Sequence, residues 1–349
     1  MAQGLFCTLI AGTILGQIAS WIKLDNYFGA TVNLIASMAK TLMGAGIGVG
    51  IAYALKTNKL TMFVSAVAGF VGAFADRMLV DSFMGGMFSS ALPLTSIVLG
   101  VPGNPIGSYV VSILVIEIVE LYAGKTKFDI IFIPLGALFL SFVGIFVAAP
   151  FIWGINQLGL LIAKATEITP FFMGIIIAIV MGVLLTMPTS SAAIWLSFAS
   201  GVTSDSMLLA GGAAVVGCSC HMVGFAVASF RENGVSGLIS QGLGTSMLQI
   251  PNVMKKPIIM LPEIIASAIL GPISTCVFGL KCNAVGGGMG TSGLVGVFGV
   301  ISGSSSIELW VMVLGIILLM FVLPAVICFF VSEIFRKKGW INFGDQKLN

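Results

Sequence analysis

The sequence has very little charge and almost no histidine. Only 8% of its 349 residues are Asp, Glu, Lys or Arg, one residue is His, and 58% are hydrophobic. A soluble domain carries about 25% charged residues, and a soluble chain this apolar would expose large hydrophobic patches and aggregate. The shortage of charge therefore predicts an integral membrane protein. A net charge of +3, without a basic stripe, argues against nucleic acid as a partner.

The chain also lacks the residue patterns of common catalytic and cofactor sites. It contains no Ser-His-Asp set, paired carboxylates or phosphate-binding loop, so we predict no enzymatic activity and no cofactor. The run GAGIGVG, Gly44 to Gly50, lies inside an apolar segment, where small residues favour close helix packing. The N-terminus lacks the basic region of a signal peptide. The six cysteines lie in or beside apolar segments, so we expect no disulfide framework.

Apolar segments near the membrane-spanning length of about 20 residues recur along the chain. The candidate spans are 5–22, 30–54, 61–78, 106–122, 129–153, 170–187, 206–229, 258–279 and 308–332. Shorter pieces, broken by glycine or proline, are 84–100, 189–201, 236–250 and 284–303. These pieces predict re-entrant hairpins or broken helices, whose backbone needs protein or a water-filled cavity to satisfy it.

The predicted fold is an all-α integral membrane protein with roughly ten transmembrane helices. One membrane domain is expected over 1–335, followed by a short cytoplasmic tail over 336–349. Basic residues set the orientation, and they cluster at Lys56/Lys59, Lys125/Lys127, Lys255/Lys256 and Arg336/Lys337/Lys338. Placing these clusters in the cytoplasm gives a consistent alternation of outward and inward spans up to residue 127. The predicted hairpins leave the number of membrane spans open after residue 190.

Three segments combine a helix break with hydroxyl groups. They are TMPTSSAA from Thr186, GTSMLQIPN from Gly244 and GGGMGTSG from Gly286. Transporters tend to build substrate sites from discontinuous helices near the middle of the membrane. The three segments therefore predict a polar cavity in which hydroxyls satisfy backbone groups that Pro188 leaves free.

Two further segments allow two interpretations each. GCSCHMVGF holds the only histidine, His221, beside Cys218 and Cys220. These ligands suit a soft metal, but three neighbours on one helix do not easily surround an ion, so we favour a buried or cavity-lining histidine and predict no metal. GVPGNPIGS, around Asn104, is either a solvent turn or a loop facing the cavity.

The charged residues outside the basic clusters lie mostly near segment ends. Because charge at the bilayer centre is costly, most are expected at the membrane interface. They are Asp76, Arg77, Asp81, Glu117, Glu120, Asp129 and Glu263.

The order of segments resembles a known membrane family. The run KTKFDIIFIPLGALFLSFVGIFVAAPFIWGINQLG, from Lys125, is similar to the central helix of enzyme IIC of bacterial sugar phosphotransferase systems, of the fructose–mannitol type. PGNPIGSYVVSILVIEIVELYAGK precedes it, and PFFMGIIIAIVMGVLLTMPTSSAA, GTSMLQIPNVMKKPIIMLPEIIASAILG and GGGMGTSGLVGVFG follow in order. The resemblance covers roughly residues 40–305.

The chain departs from that family at three motifs. Where sugar-translocating members have Gly-Gly-Pro-Val-Asn-Lys-Ala-Ala, this chain keeps Pro188 but has Ser190 and Ser191 in place of the asparagine and lysine. The glutamate of Gly-Ile-Thr-Glu-Gly-Ala-Ile-Pro falls on Met247, and the histidine of Pro-His-Gly-Gly falls on Thr291. No phospho-accepting module is present in the sequence. The combination is similar to stand-alone enzyme IIC-like proteins of the perfringolysin-regulator or toxin-regulator subfamily.

The resemblance implies a homodimer in the bacterial cytoplasmic membrane, with one cavity per protomer that moves in an elevator-like manner. We predict a transporter of a small, mostly uncharged solute that does not itself phosphorylate sugar. The alternative is a membrane ligand sensor without net transport, and a separate cytoplasmic phosphotransferase or regulatory partner fits either function. The candidate substrate-binding residues are Asn104, Pro188, Thr189, Ser190, Ser191, His221, Ser246, Met247, Gln249, Asn252, Thr291 and Ser292.

Overall fold

A computed structural model describes residues 2–22, 27–78, 103–187, 190–199, 202 and 204–348 of the chain. The described residues form helices and turns without a strand, which confirms the predicted all-α membrane fold. The chain divides into two compact units, Met1–Leu158 and Gly159–Asn349. A single membrane domain over 1–335 stays a prediction.

The first unit consists of short helices followed by two long ones. Its helices are α1 (Ala2–Leu5), α2 (Ala11–Trp21), α3 (Tyr27–Thr41), α4 (Met43–Ala54), α5 (Lys59–Ala73), α6 (Ala75–Met78), α7 (Pro105–Tyr122) and the first thirty residues of α8 (Asp129–Ile168). A π-helical turn, Phe6–Ile10, separates α1 from α2. The predicted piece 84–100 lies outside the described residues.

The second unit contains the helix breaks that the sequence predicts. Its α-helices are α9 (Pro170–Thr186), α10 (Ser191–Ala199), α11 (Asp205–Ala228), α12 (Phe230–Ile239), α13 (Ile250–Lys255), α14 (Leu261–Pro272), α15 (Val295–Gly303), α16 (Leu309–Ile316) and α17 (Leu323–Lys337). Short π-helical and 3₁₀ turns join several of them, among them Ser240–Gly244, Ser246–Gln249, Pro257–Met260, Ile273–Phe278 and Ile317–Val322.

Five segments of the described chain are long and apolar enough to cross a membrane, and six if one bent pair counts as a span. They are Pro105–Tyr122, Asp129–Ile168, Asp205–Ala228, Pro257–Phe278 and Leu309–Lys337, with α3 and α4 as the pair. The predicted count of roughly ten is not confirmed, because several predicted spans are shorter or interrupted. The predicted span 30–54 bends by 51° between α3 and α4, and 61–78 breaks at Phe74.

The predicted span 129–153 is the clearest correction in length. Its helix continues to Ile168, because Asn156 and Gln157 stay helical and the next helix-breaking residue is Pro170. Pro134 and Pro150 lie inside the helix. Asn156 and Gln157 therefore do not end this helix, which stops two residues before Pro170 although Pro134 and Pro150 are accommodated within it.

Small residues pack the helices of the first unit, as GAGIGVG predicts. A Cβ at Gly44 would collide with the carbonyl oxygen of Gly69 in α5, and one at Gly72 would lie 2.5 Å from the Gly107 carbonyl oxygen in α7. Asn104 begins α7, and its side-chain oxygen accepts hydrogen bonds from the amides of Ile106 (2.9 Å) and Gly107 (3.3 Å). Asn104 is 2% exposed, so this position is a buried helix cap rather than a solvent turn.

The second unit is built around α11, which packs against α9, α14 and α17. Of the five single candidate spans, α11 is the most deeply buried within the protein. Ser204 begins it by accepting a hydrogen bond from the Met207 amide at 3.2 Å. α9 ends at Thr186 because the following Met187 is extended, with ψ of 160°, as a residue before proline prefers.

Candidate functional site

A chain of hydrogen bonds between neutral side chains lies at the end of α9. The Thr186 hydroxyl is 2.9 Å from His221 Nδ1 in α11 and 2.9 Å from the Ser246 hydroxyl. All three residues are fully buried. We call this set the hydroxyl–imidazole chain. It joins α9, α11 and the 3₁₀ turn Ser246–Gln249 through groups that carry both donors and acceptors.

The imidazole ring of His221 fits against a glycine of α9. A Cβ at Gly182 would lie 2.8 Å from His221 Nε2, and the ring of Phe225 stands edge-on to the imidazole at 6.3 Å between centroids. Nε2 has no hydrogen-bond partner among the described residues. The structure thus places His221 inside the unit, with one nitrogen used by Thr186 and the other available.

The first broken segment begins α10 through its serines. Ser190 Oγ accepts a hydrogen bond from the Ala193 amide at 3.3 Å. Ser191 is 3% exposed and donates to the Gly288 carbonyl oxygen at 2.7 Å. This bond ties the break after α9 to the glycine-rich segment. Pro188 and Thr189 lie outside the described residues.

The glycine-rich segment holds the other predicted hydroxyls. Thr291 is fully buried and donates to the Gly242 carbonyl oxygen at 2.6 Å, while Ser292 is 7% exposed. Met247, where the resemblance predicts the family glutamate, is half-buried and follows Thr245, whose hydroxyl accepts from the Met247 amide at 3.2 Å. The segments that the sequence predicts as partners are therefore neighbours in the second unit.

Side-chain amides form a second polar layer close to the first. Gln249 donates to the side chain of Gln241 at 2.8 Å, Gln241 donates to the Ser229 hydroxyl at 2.9 Å, and Asn252 donates to Gln249 at 2.8 Å. We call Gln241, Gln249 and Asn252 the amide layer. Gln241 and Gln249 are fully buried.

The C-terminal segment folds back onto this layer. The carbonyl oxygen of Gln346 accepts from Gln249 and from Asn233, both at 2.9 Å, and that of Lys347 accepts from Asn252 at 2.9 Å. Gln346 itself is fully buried. Residues 339–348 are the part of the predicted C-terminal tail that follows α17, and they are called the tail below. The tail covers the predicted site residues Gln249 and Asn252 from the end that carries the basic clusters.

Charged residues hold the tail in place. Glu232, whose side chain is fully buried, accepts from the amides of Gly344 (2.8 Å) and Gln346 (3.1 Å) and pairs with Arg336 at 3.2 Å. Arg336 also donates to the Gln346 side chain at 2.9 Å. Each charge has partners, as buried ions require.

A second ion pair lies at the rim of the tail. Lys256 Nζ is 2.7 Å from Asp345 Oδ2, and the side chains are 33% and 24% exposed. Burial alone would raise the pKa of Asp345. The hydrogen bonds from Lys256 and the Asn342 amide, with the charges of Lys256 and Arg336, outweigh burial, so this pKa lies below its ordinary value.

Glu263 is one of the charged residues that the sequence places near segment ends. It is fully buried in the first turn of α14, and neither carboxyl oxygen has a hydrogen-bond partner among the described residues. Its burial was not predictable, because distance from a segment end does not reveal which side of a helix faces its neighbours. That most of these charged residues lie at the membrane interface stays a prediction.

The soft-metal interpretation of GCSCHMVGF finds no support in the described part of the chain. Cys218 faces α9, where its thiol is 3.5 Å from the Met181 carbonyl oxygen, and His221 contacts Thr186. The Cys220 carbonyl oxygen instead accepts from Cys328 in α17 at 3.9 Å. Among these residues, no group of three metal-binding side chains is placed to hold an ion.

A small apolar cavity lies beside these layers. Its volume is about 200 Å³, and it is lined by Gly242 and by the side chains of Val223, Ala226, Leu238, Ile239, Leu243 and Phe321. Gly242, whose carbonyl oxygen accepts a hydrogen bond from Thr291, is part of this lining. That the predicted residues face one aqueous cavity stays a prediction, as does a binding role for Asn104, which lies in the first unit.

Sequence reasoning missed the residues that surround the predicted ones. The sequence predicts Thr186 only as a cavity-lining hydroxyl, and the three broken segments do not include Gln241, Glu232, Arg336 or Gln346. A usable signal was present, because Glu232 and Arg336 lie in α12 and α17 beside apolar segments, where charges need partners.

Comparison with known proteins finds one family. The family model for the phosphotransferase system EIIC matches residues 1–348. No curated protein and no solved structure is matched by the chain.

Proposed function

The chain belongs to the phosphotransferase system EIIC family, and from this premise we propose that it binds and translocates a small, mostly uncharged solute. Membership makes it a multi-pass membrane protein of the transporter type, and it implies sugar-type substrates and cytoplasmic phosphotransferase partners in general. The site proposed here is the hydroxyl–imidazole chain with the broken segments around it.

The chemistry of the buried groups supports an uncharged solute. Thr186, His221 and Ser246 offer hydroxyl and imidazole groups at the break after α9. Two further hydroxyls, of Ser191 and Thr291, lie in the broken segments and donate to backbone carbonyls. None of these side chains carries a fixed charge. An ionic solute entering such a site would lose its hydration without gaining an opposite charge, whereas hydroxyl groups of a sugar or polyol would find donors and acceptors.

The absence of sugar phosphorylation is part of the proposal. The family's glutamate and histidine positions hold Met247 and Thr291, and Thr291 already donates to a backbone carbonyl. Neither side chain supplies a carboxylate or imidazole to a sugar hydroxyl.

Counterflow tests this proposal. The purified full chain would be placed in liposomes loaded with unlabelled fructose, mannitol or glucose, and entry of the same labelled compound would be measured against empty liposomes. We expect transient accumulation of at least one compound. Thr186→Val should reduce it, because valine removes the hydroxyl that joins His221 and Ser246, whereas Thr186→Ser should retain it.

Two outcomes would contradict the proposal. One is accumulation that is equal in protein-containing and empty liposomes for all three probes. The other is phosphoenolpyruvate-dependent formation of a sugar phosphate by membranes carrying the protein together with the general phosphotransferase proteins.

A membrane sensor is the second candidate function, and the docked tail is the observation that favours it. A ligand that changes the amide layer would change the contacts of Gln249 and Asn252 with the tail. Binding without counterflow, accompanied by release of the tail, would favour the sensor. Membership in the regulator subfamily, a homodimer, elevator-like movement and the bacterial cytoplasmic membrane belong to the proposal in either case.

A further inference from the structure

Glu263 is a carboxyl group that neither polar layer uses. It is fully buried in the first turn of α14, and both of its side-chain oxygens lack a hydrogen-bond partner among the described residues. An ionised carboxylate in such surroundings loses its hydration without replacement, which is very costly. The group is therefore stable there only with a proton.

Its position along the chain places it within the candidate membrane span Pro257–Phe278. Glu263 follows Lys256 by seven residues, which is roughly 10 Å at a helical rise of about 1.5 Å per residue. Gly224 in α11 lies against Glu263. It precedes Ser229, whose hydroxyl accepts a hydrogen bond from Gln241 of the amide layer, by five residues. Two helices thus place the carboxyl deeper than the amide layer, counted from the basic end.

The surrounding helices leave space shaped for this side chain. A Cβ at Gly224 would lie 2.8 Å from Glu263 Cγ and 2.7 Å from Cys328 Sγ. Glycine at position 224 therefore admits both groups. The Cys328 sulfur lies 3.7 Å from the Pro262 carbonyl oxygen and 3.9 Å from the Cys220 carbonyl oxygen, which are hydrogen-bond acceptors for its thiol.

The titratable neighbours are thiols rather than ions. Cys328 in α17 and the Glu263 side chain both lie against Gly224, the Cys328 thiol is 3.9 Å from the Cys220 carbonyl oxygen in α11, and α9 contains no titratable residue. The charges near the basic end pair with one another, Arg231 with Glu333 and Arg336 with Glu232. No described cation lies within ion-pair distance of Glu263.

These surroundings favour a proton over a metal ion as the ligand. Hard cations need several oxygen ligands, and among the described residues no group of three His, Cys, Asp or Glu side chains that could hold an ion includes Glu263. A soft metal needs a cluster of thiolate or imidazole ligands, and the described residues form no such group of three.

We infer that the Glu263 carboxyl is a proton-binding site that exchanges its proton with water, and that this exchange accompanies solute movement. The second half of the inference rests on the proposed function. Protonation forms the O–H bond of a neutral carboxylic acid, and release returns the proton to water and leaves a carboxylate, with no electron transfer. Intramembrane carboxyls serve as such proton relays in transporters.

Infrared spectroscopy tests the site without any solute. The full chain in lipid bilayers at neutral pH should show a carbonyl stretching band of a protonated carboxyl that is absent in Glu263→Gln. The band should shift in D₂O, because the proton exchanges with water. Glu308→Gln is the matched control, since Glu308 is exposed, and it should retain the band. A wild-type spectrum without this band, or a band that D₂O leaves unchanged, would overturn the inference.

Transport with an imposed pH gradient tests the coupling. If the wild type shows counterflow, a gradient should drive uptake of the same labelled sugar, and Glu263→Gln should lose gradient-driven uptake while retaining counterflow. Equal gradient dependence in the wild type and the variant would overturn the coupling. Absence of counterflow in the wild type would instead contradict the proposed function, while the infrared result would still decide whether Glu263 binds an exchangeable proton.

Discussion

At the scale of single residues, Gly182 packs closely against α11 in the candidate site. Gly182→Ala would place a Cβ in collision with His221 Cδ2 and 2.8 Å from the Gly217 carbonyl oxygen, so the imidazole ring and the backbone of α11 would have to shift. Overpacking of this kind costs about 1–3 kcal/mol. We expect Gly182→Ala to lower the free energy of unfolding by that amount, measured by chemical or thermal unfolding in mild detergent.

Gly154→Ala provides the matched control for this substitution. Gly154 also lies in a helix, α8, but a Cβ there would meet no atom within 4 Å. Alanine should therefore leave stability unchanged or raise it by up to about 1 kcal/mol through helix propensity. Equal stability changes in the two variants would contradict the close packing of Gly182 against α11.

The structural roles of individual residues were predictable from the sequence to different degrees. Ser191 and Thr291 were recognisable because hydroxyls beside helix breaks need partners, and the structure gives both a backbone carbonyl. Glu263 was not, because burial of a helix residue depends on which helices surround it. Those neighbours, α11 and α17, lie far from it in sequence, and no local pattern specifies them.

At the scale of structural elements, the docked tail makes the protein sensitive to acid. The lowered pKa of Asp345 means that the folded, docked state favours the carboxylate, which pairs with Lys256. The stabilisation of the docked tail by this carboxylate is complete above pH 3.8, the ordinary pKa of the group. It is lost as the pH falls from 3.8 through the lowered pKa of the folded state. Hydrogen exchange at the amides of Gly344, Gln346 and Leu348 should therefore become less protected, relative to intrinsic rates, as the pH falls through this range.

Asp345→Asn separates this effect from other acid-induced changes. Asparagine keeps the shape but cannot form the ion pair, so the variant should show weaker protection at neutral pH and a flatter pH profile. Lys347→Ala is the control within the tail, because its side chain is exposed and its backbone carbonyl, which Asn252 contacts, is retained. An unchanged pH profile in Asp345→Asn would contradict the assignment.

Element boundaries were predictable where local chemistry marks them. α7 begins after Asn104 with a proline in its first turn, and α11 begins after Ser204, so both spans were predicted within a residue or two. The bend between α3 and α4 at Leu42 follows no proline, so the sequence did not mark it. The return of the tail was equally invisible, because its partners Glu232 and Gln249 come from about a hundred residues earlier in the chain.

At the scale of the whole molecule, the distribution of basic residues predicts the orientation in the membrane. In the second unit, Lys256 contacts the tail and Arg336 contacts Glu232, so two basic clusters share one end. In the first unit, Asn58 donates to Glu120 at 3.1 Å, which places Lys56/Lys59 and Lys125/Lys127 near a common end. The positive-inside rule, applied to each unit separately, predicts that both ends are cytoplasmic.

Single cysteines test this orientation in bacterial cells, with the exposed native Cys7 and Cys276 replaced by serine. Ser305→Cys lies at the opposite end of the second unit, where Lys281 contacts Asp205 and Ser306, so it should react with a membrane-impermeant maleimide added outside. Lys125→Cys and Lys347→Cys, both at exposed positions, should react only after the cells are opened, because a charged reagent cannot cross the bilayer. Labelling of Lys125→Cys from outside would reverse the first unit, and labelling of Lys347→Cys from outside would reverse the second. In the latter case, the tail and the amide layer would face the outside of the cell, and a cytoplasmic phosphotransferase or regulatory partner could not reach them.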